Sequence, residues 1–150
     1  MLFPDWLEIA GNKDYRGPCP HEHVEQATFF NLLRSIYPNT YGKVAIHPDN
    51  EGKRSYGQAN FKKRQGGAKG ASDIVIPGDM CFVIEIKRLD HTKSKWVDGQ
   101  QEYLRSSIEL GAIVFVALGG ENAFYRFNEL LSIKYSVDHN PEIYRPVKKF

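Results

Sequence analysis

The chain has 150 residues, of which 41% are apolar and 25% charged, and its formal net charge is +2. This is the balance of a soluble globular protein long enough to bury a core, and a single domain over 1–150 is expected. No apolar run approaches the ~18 residues of a membrane span, two cysteines exclude a disulfide framework, and the start, Met1-Leu2-Phe3-Pro4-Asp5-Trp6, lacks a signal-peptide pattern. The expected location is therefore the cytoplasm, without a membrane partner.

The segment to about Pro20, rich in Pro, Gly and aromatics, reads as an irregular arm. The apolar spacing of Val24, Ala27, Phe30 and Leu33 predicts a helix from about His21 to Ile36, with Pro38 as its stop. Lys43-Val44-Ala45-Ile46-His47 reads as a short strand, and 48–70 as a polar loop enclosing a short helix near Gln58 to Arg64. Asp73 to Pro77 and Cys81 to Lys87 read as the two strands of a hairpin, joined at Pro77-Gly78-Asp79. A second helix fits Trp96 to Leu110. The continuous apolar run Ala112 to Leu118 suits a strand covered on both faces. A last helix from Ala123 to Ile133 leads into a basic tail. Together these elements predict an α/β fold, a small mixed sheet with helices on its faces.

The charge is unevenly placed. Lys53, Arg54, Lys62, Lys63, Arg64 and Lys69 lie between Glu51 and Gly70, opposed by Glu51 alone. Such a cluster can neutralise phosphates, although a solvated loop and helix face has the same composition. Tyr41, Tyr56 and Phe61 flank it. Aromatics among cations can stack on exposed bases, but more often they simply pack.

The hairpin carries the chemistry. Side chains two apart on a strand share a face, so Glu85 and Lys87 project together while Phe82, Ile84 and Ile86 point the other way. Asp73 begins the neighbouring strand and can sit beside Glu85 across the ladder. Adjacent carboxylates repel, and a divalent cation relieves the repulsion. Mg²⁺ or Mn²⁺ suits such oxygen ligands. A cross-strand ion pair would use the same residues without chemistry.

The wider pattern runs from His21-Glu22-His23-Val24-Glu25-Gln26 at a helix start to Gly66 and Gly70-Ala71-Ser72-Asp73-Ile74-Val75-Ile76-Pro77. It continues through Phe82-Val83-Ile84-Glu85-Ile86-Lys87 to Gln100-Gln101-Glu102-Tyr103-Leu104 and Gly111-Ala112. In this order and spacing it resembles a virus-type replication-repair nuclease (VRR-NUC) domain of the PD-(D/E)xK superfamily, over roughly Glu22 to Gly119 (a core of about 21–119 with an N-terminal arm and a C-terminal helix and tail). The resemblance implies a restriction-endonuclease-like mixed sheet flanked by helices. It implies that Asp73, Glu85, the Ile86 carbonyl and Glu22 hold Mg²⁺, and that Lys87 is the catalytic lysine. Glu22 is preferred to Glu25 as the helix-borne glutamate because Gln26 shares its face. Gln100 matches the later glutamine, with Gln101 as its alternative, and Tyr103 stands where an aromatic is common. Ser72 departs from the usual proline before the aspartate.

Two other patterns are weaker. Cys19-x-His21-x-His23 is not a zinc-finger spacing, and Gly66 to Ser72 lacks the order of a nucleotide-binding loop. The expected function is Mg²⁺-dependent hydrolysis of DNA phosphodiesters. The resemblance implies homodimers acting on branched DNA such as four-way (Holliday) junctions, in DNA repair, with phage or host origin open. The alternatives are a non-catalytic branched-DNA-binding module on the same fold, and a sequence-specific restriction-type nuclease, for which 150 residues leave little room.

Overall fold

The alternation along β3 (Phe82–Lys87) divides the molecule. Phe82, Ile84 and Ile86 face one apolar cluster. Val83 faces a second cluster on the opposite side. All six residues of the strand are buried. The computed structural model describes residues 1–48 and 56–149.

β3 lies between β2 (Ile74–Ile76), which is antiparallel to it, and β4 (Ile113–Leu118), which is parallel. A two-residue strand, β1 (Ile9–Ala10), adds to the far side of β4 in parallel, giving the sheet order β1-β4-β3-β2. The predicted mixed sheet is present. β1 is additional, since it lies within the segment read as an irregular arm.

On one face pack α1 (Glu22–Ile36) and α5 (Gly120–Lys134), with Phe29, Leu33, Phe124 and Phe127 against Phe82 and Ile84. On the other lie α4 (Gln100–Glu109) and the N-terminal arm, through Leu104, Leu7 and Val116. α1 begins one residue later than expected, and its first turn carries Glu22 and Glu25, which suit the helix N-terminus. The apolar spacing misplaces its inner face. The buried residues are Glu25, Gln26, Phe29 and Leu33, while Val24 is exposed. Two polar side chains turn inward because they meet partners there. α1 and α5 approach so closely that a Cβ on Gly120 would lie 2.1 Å from the Glu25 carbonyl oxygen, so α5 starts at a glycine, three residues before the apolar pattern begins.

The expected strand at Lys43 to His47 is not one. Tyr41–Val44 forms a single helical turn, α2, and Ile46 alone bridges to Val75 at the sheet edge. α3 spans Tyr56–Arg64. α4 starts at Gln100 rather than Trp96 because Gly99 takes φ +90°, which a right-handed helix cannot contain. Trp96 lies instead over Lys87.

The arm is fastened to segment 88–96. Gly17 N–H donates to Asp90 Oδ2 at 3.0 Å, and Arg88 donates to the carbonyls of Cys19 and Pro20 at 2.7 and 2.9 Å. Trp96 Nε1 donates to the Leu2 carbonyl at 2.8 Å. The C-terminal tail closes over the opposite face, where Tyr41 donates to the Ile143 carbonyl and Asn128 to that of Arg145. No helix among the described residues is long and apolar enough to cross a membrane.

Candidate active site

The register pairs Ile74 with Ile84. One step further along the antiparallel ladder, Asp73 falls opposite Glu85. The two carboxylates thus share the face of the sheet that carries Val83, toward α4. Asp73 is 9% exposed, Glu85 and Lys87 only 1% each. Burying three ionisable groups costs free energy unless each finds partners, and each does.

Asp73 Oδ1 accepts from Gln26 Nε2 at 2.8 Å, and Oδ2 accepts from the Ile86 N–H at 2.8 Å. Glu85 Oε2 accepts from the Asp73 N–H at 3.3 Å and from Ser72 Oγ at 3.4 Å. Glu85 Oε1 accepts from Gln100 Nε2 at 3.0 Å. The Lys87 ammonium has three hydrogens and three acceptors: the Lys95 carbonyl at 3.0 Å, Gln100 Oε1 at 3.1 Å and Glu85 Oε1 at 3.5 Å. The Trp96 ring lies over it, 5.2 Å from Nζ. His47 Nδ1 donates to the Asp73 carbonyl at 2.6 Å.

Burial, then the nearby Asp73 charge, pushes the Glu85 carboxyl well above the usual range, against the pull of Lys87. Burial also raises Asp73, with the hydrogen bonds from Glu85 and Ile86 opposing. Glu22 adds to both through its charge. Two carboxyls this close need a shared proton or a cation between them. The donor set fits a hard divalent cation. The odd-numbered carbonyls of β3 serve β4, as Cys81 and Lys87 do. The even-numbered Ile86 carbonyl therefore faces the side of Asp73, where β2 has ended. No three His, Cys, Asp or Glu side chains among the described residues converge as a metal cluster. A cation here would draw on Asp73, Glu85 and the Ile86 carbonyl, and Mg²⁺ keeps several waters in such sites.

The helix-borne residues divide. Glu22 is near enough to act on both carboxyls, and its Oε1 accepts from Ser94 Oγ at 2.7 Å. Glu25 turns away to the N-terminus of α5, where the Gly120 N–H bonds it, and burial raises its carboxyl. Gln100 faces the site. Gln26, Trp96, Ser94 and the Lys95 carbonyl also belong to it. Gln26 appeared in the sequence only as a companion of Glu22, and a backbone carbonyl leaves no trace in a sequence. Ser72, the departure from the usual proline, is fully buried and reaches Glu85.

Of the basic residues, Lys53 and Arg54 lie outside the described residues. Lys62, Lys63 and Arg64 are on α3, the last two exposed. Lys69 pairs with Asp98 at 2.7 Å, pinning the loop before Asp73 to the start of α4. His21 and His23 stack on each other with centroids 5.9 Å apart.

No family model and no curated protein matches the sequence. Among solved structures, the chain is similar to a "VRR_NUC domain protein", with a TM-score of 0.57 and 22% identity, over 77% of this chain and 89% of that one. The chain thus has the fold of a VRR-NUC domain, a restriction-endonuclease-like mixed sheet flanked by helices.

Proposed function

We propose that this protein is a metal-dependent nuclease of the VRR-NUC type that hydrolyses DNA phosphodiester bonds, with Mg²⁺ as its cation and Mn²⁺ as a substitute. The carrying observation is the buried Asp73–Glu85 pair beside the buried Lys87, with Gln100 bonded to both Glu85 and Lys87. Asp73, Glu85 and the Ile86 carbonyl would hold the cation, with Glu22 beside them. Such a cation polarises the phosphodiester and lowers the pKa of a bound water.

The protein's residues do the rest. Gln26 and the Ile86 N–H fix the Asp73 carboxylate through one bond to each oxygen. Gln100 and the Lys95 carbonyl aim Lys87, whose ammonium orients the attacking water and stabilises the negative charge on the phosphoryl oxygens. The exposed cations of α3 bind the DNA backbone, so recognition rests on phosphate contacts and DNA shape. The substrate is branched DNA, and a twofold homodimer would present two sites for paired cuts.

The test is cleavage of labelled four-way-junction and linear duplex DNA with Mg²⁺, Mn²⁺ or EDTA, wild type beside Glu85→Gln. Metal-dependent cutting that the variant loses is the expected result, with the junction cut faster. Binding without cutting under every metal would replace the nuclease by a non-catalytic DNA-binding module. Equal cutting of both DNAs would remove the preference for branches.

A further inference from the structure

The aromatics around the basic segment have separate fates. Tyr41 is a packing residue, edge-on to Tyr37 and Phe127, with its hydroxyl on the Ile143 carbonyl. Phe61 stays out, 61% exposed on α3, while Phe29, Phe82, Phe115, Phe124 and Phe127 are fully buried. A large apolar ring left in water keeps unused the free energy that burial would supply, and it is open to a partner of matching shape.

Its surroundings define that partner. Arg64 is one helical turn away on the same side, while the exposed Lys63 lies round the helix from the ring. One turn earlier, Gly57 is exposed and has no side chain of its own to cover the ring. A flat apolar surface set among cations matches a nucleobase with its phosphates, since stacking accepts any base while the cations hold the backbone. A base within a duplex is already stacked on both sides, so only an unpaired base can use the ring.

α3 is also tied to the candidate site. The loop after it, Gln65 to Gly70, presses onto α4 so closely that a Cβ on Gly70 would lie 2.2 Å from the Gly99 carbonyl carbon. Gln100, the next residue, donates to Glu85.

We infer that Phe61 is a stacking surface for an unpaired base, with Arg64 on the adjoining phosphate, so that the preferred DNA carries unpaired bases beside the cut. This rests on the DNA reading above and narrows its branched substrate to branches that leave bases unpaired, which a fully paired four-way junction lacks.

The test is binding in EDTA, where cutting is suppressed, to a continuous duplex and to the same duplex with a short single-stranded gap containing a fluorescent purine analogue. Wild type should bind the gapped DNA more tightly and quench the analogue. Phe61→Ala should lose on the order of tenfold in affinity for the gapped DNA only, along with the quenching. Phe61→Trp should keep both. Equal affinity of wild type and Phe61→Ala for gapped DNA, or an equal loss on both DNAs, would overturn the stacking role while leaving the nuclease reading intact. A wild type that binds neither DNA would overturn the stacking role, while the cleavage assay above decides the nuclease reading separately. A changed oligomeric state of Phe61→Ala with unchanged DNA affinity would show that the ring is a contact between proteins. Because the ring is exposed, Phe61→Ala should melt as wild type does.

Discussion

Gln100 and Lys87 are joined by a 3.1 Å hydrogen bond in which the amide oxygen accepts from the ammonium, while the same amide's nitrogen donates to Glu85 Oε1 at 3.0 Å. One side chain thus sets the spacing between the lysine and the carboxylate. Gln100→Ala should leave the fold intact and reduce DNA cutting by about 10–100-fold, as loss of an outer partner does at a metal site. Gln100→Glu should be worse, because it removes the donor and sets a third carboxylate beside Glu85. The check is single-turnover cleavage together with a melting curve. Wild-type rates for both variants would remove Gln100 from the site.

The Asp73–Glu85 pair gives a pH signature. Both carboxyls are held above their ordinary values, by burial first. The folded protein therefore retains protons that the unfolded chain would already have released. This stabilises the fold fully below the ordinary carboxylate range, and the gain disappears as pH rises through the raised folded values. Without divalent cations, wild type should lose melting temperature over that rise relative to Glu85→Gln. Mg²⁺ should restore it most at the upper end. Parallel melting curves for the two proteins would show that the pair is not coupled in this way.

Asp90 ties the arm to the segment that shelters Lys87. The Thr92 hydroxyl and then the Gly17 N–H hold its carboxyl down to about 2. A depressed carboxyl stabilises the fold above its unfolded value, and that contribution is lost as pH falls toward about 2. Asp90→Asn should loosen the arm even at neutral pH. Lys87, 1% exposed in the closed arrangement, should then react faster with an acylating reagent, as read by peptide mass. Unchanged labelling would mean that segment 88–96 holds its shape without the arm.

Lys63→Ala with Arg64→Ala should weaken binding to every DNA alike. Each phosphate contact contributes about −0.9 to the slope of log affinity against log salt, so the double variant should flatten the slope by about 2 if both residues touch phosphates. An unchanged slope would place the DNA on another face.

The sheet was legible because β3 is strictly periodic. Its alternation put Glu85 and Lys87 on one side and allowed Asp73 to sit opposite Glu85, and the ladder has the register that brings them together. β1 was not legible. Ile9 and Ala10 are strand only because β4 offers them a free edge, a tertiary event that two residues in a Pro- and Gly-rich arm cannot announce. The inward face of α1 was misjudged for a related reason. Gln26 and Glu25 are buried by partners on other elements, Asp73 and Gly120, whereas apolar spacing counts only apolar residues. Trp96 was assigned to a helix because nothing in its neighbourhood signals that Gly99 turns left-handed.

The pairing of Ile9 with Val116 joins residues far apart in the sequence. The arm has no strand to join until β4 is in place. The β2–β3 hairpin, with its acidic pair, can form well before that moment, because its contacts are local. The cover over Lys87 depends on the arm and on the sequence after β3, so it closes among the last events of folding. The buried environment of Lys87 is thus assembled from distant parts of the chain, and it is complete only when the whole sheet is.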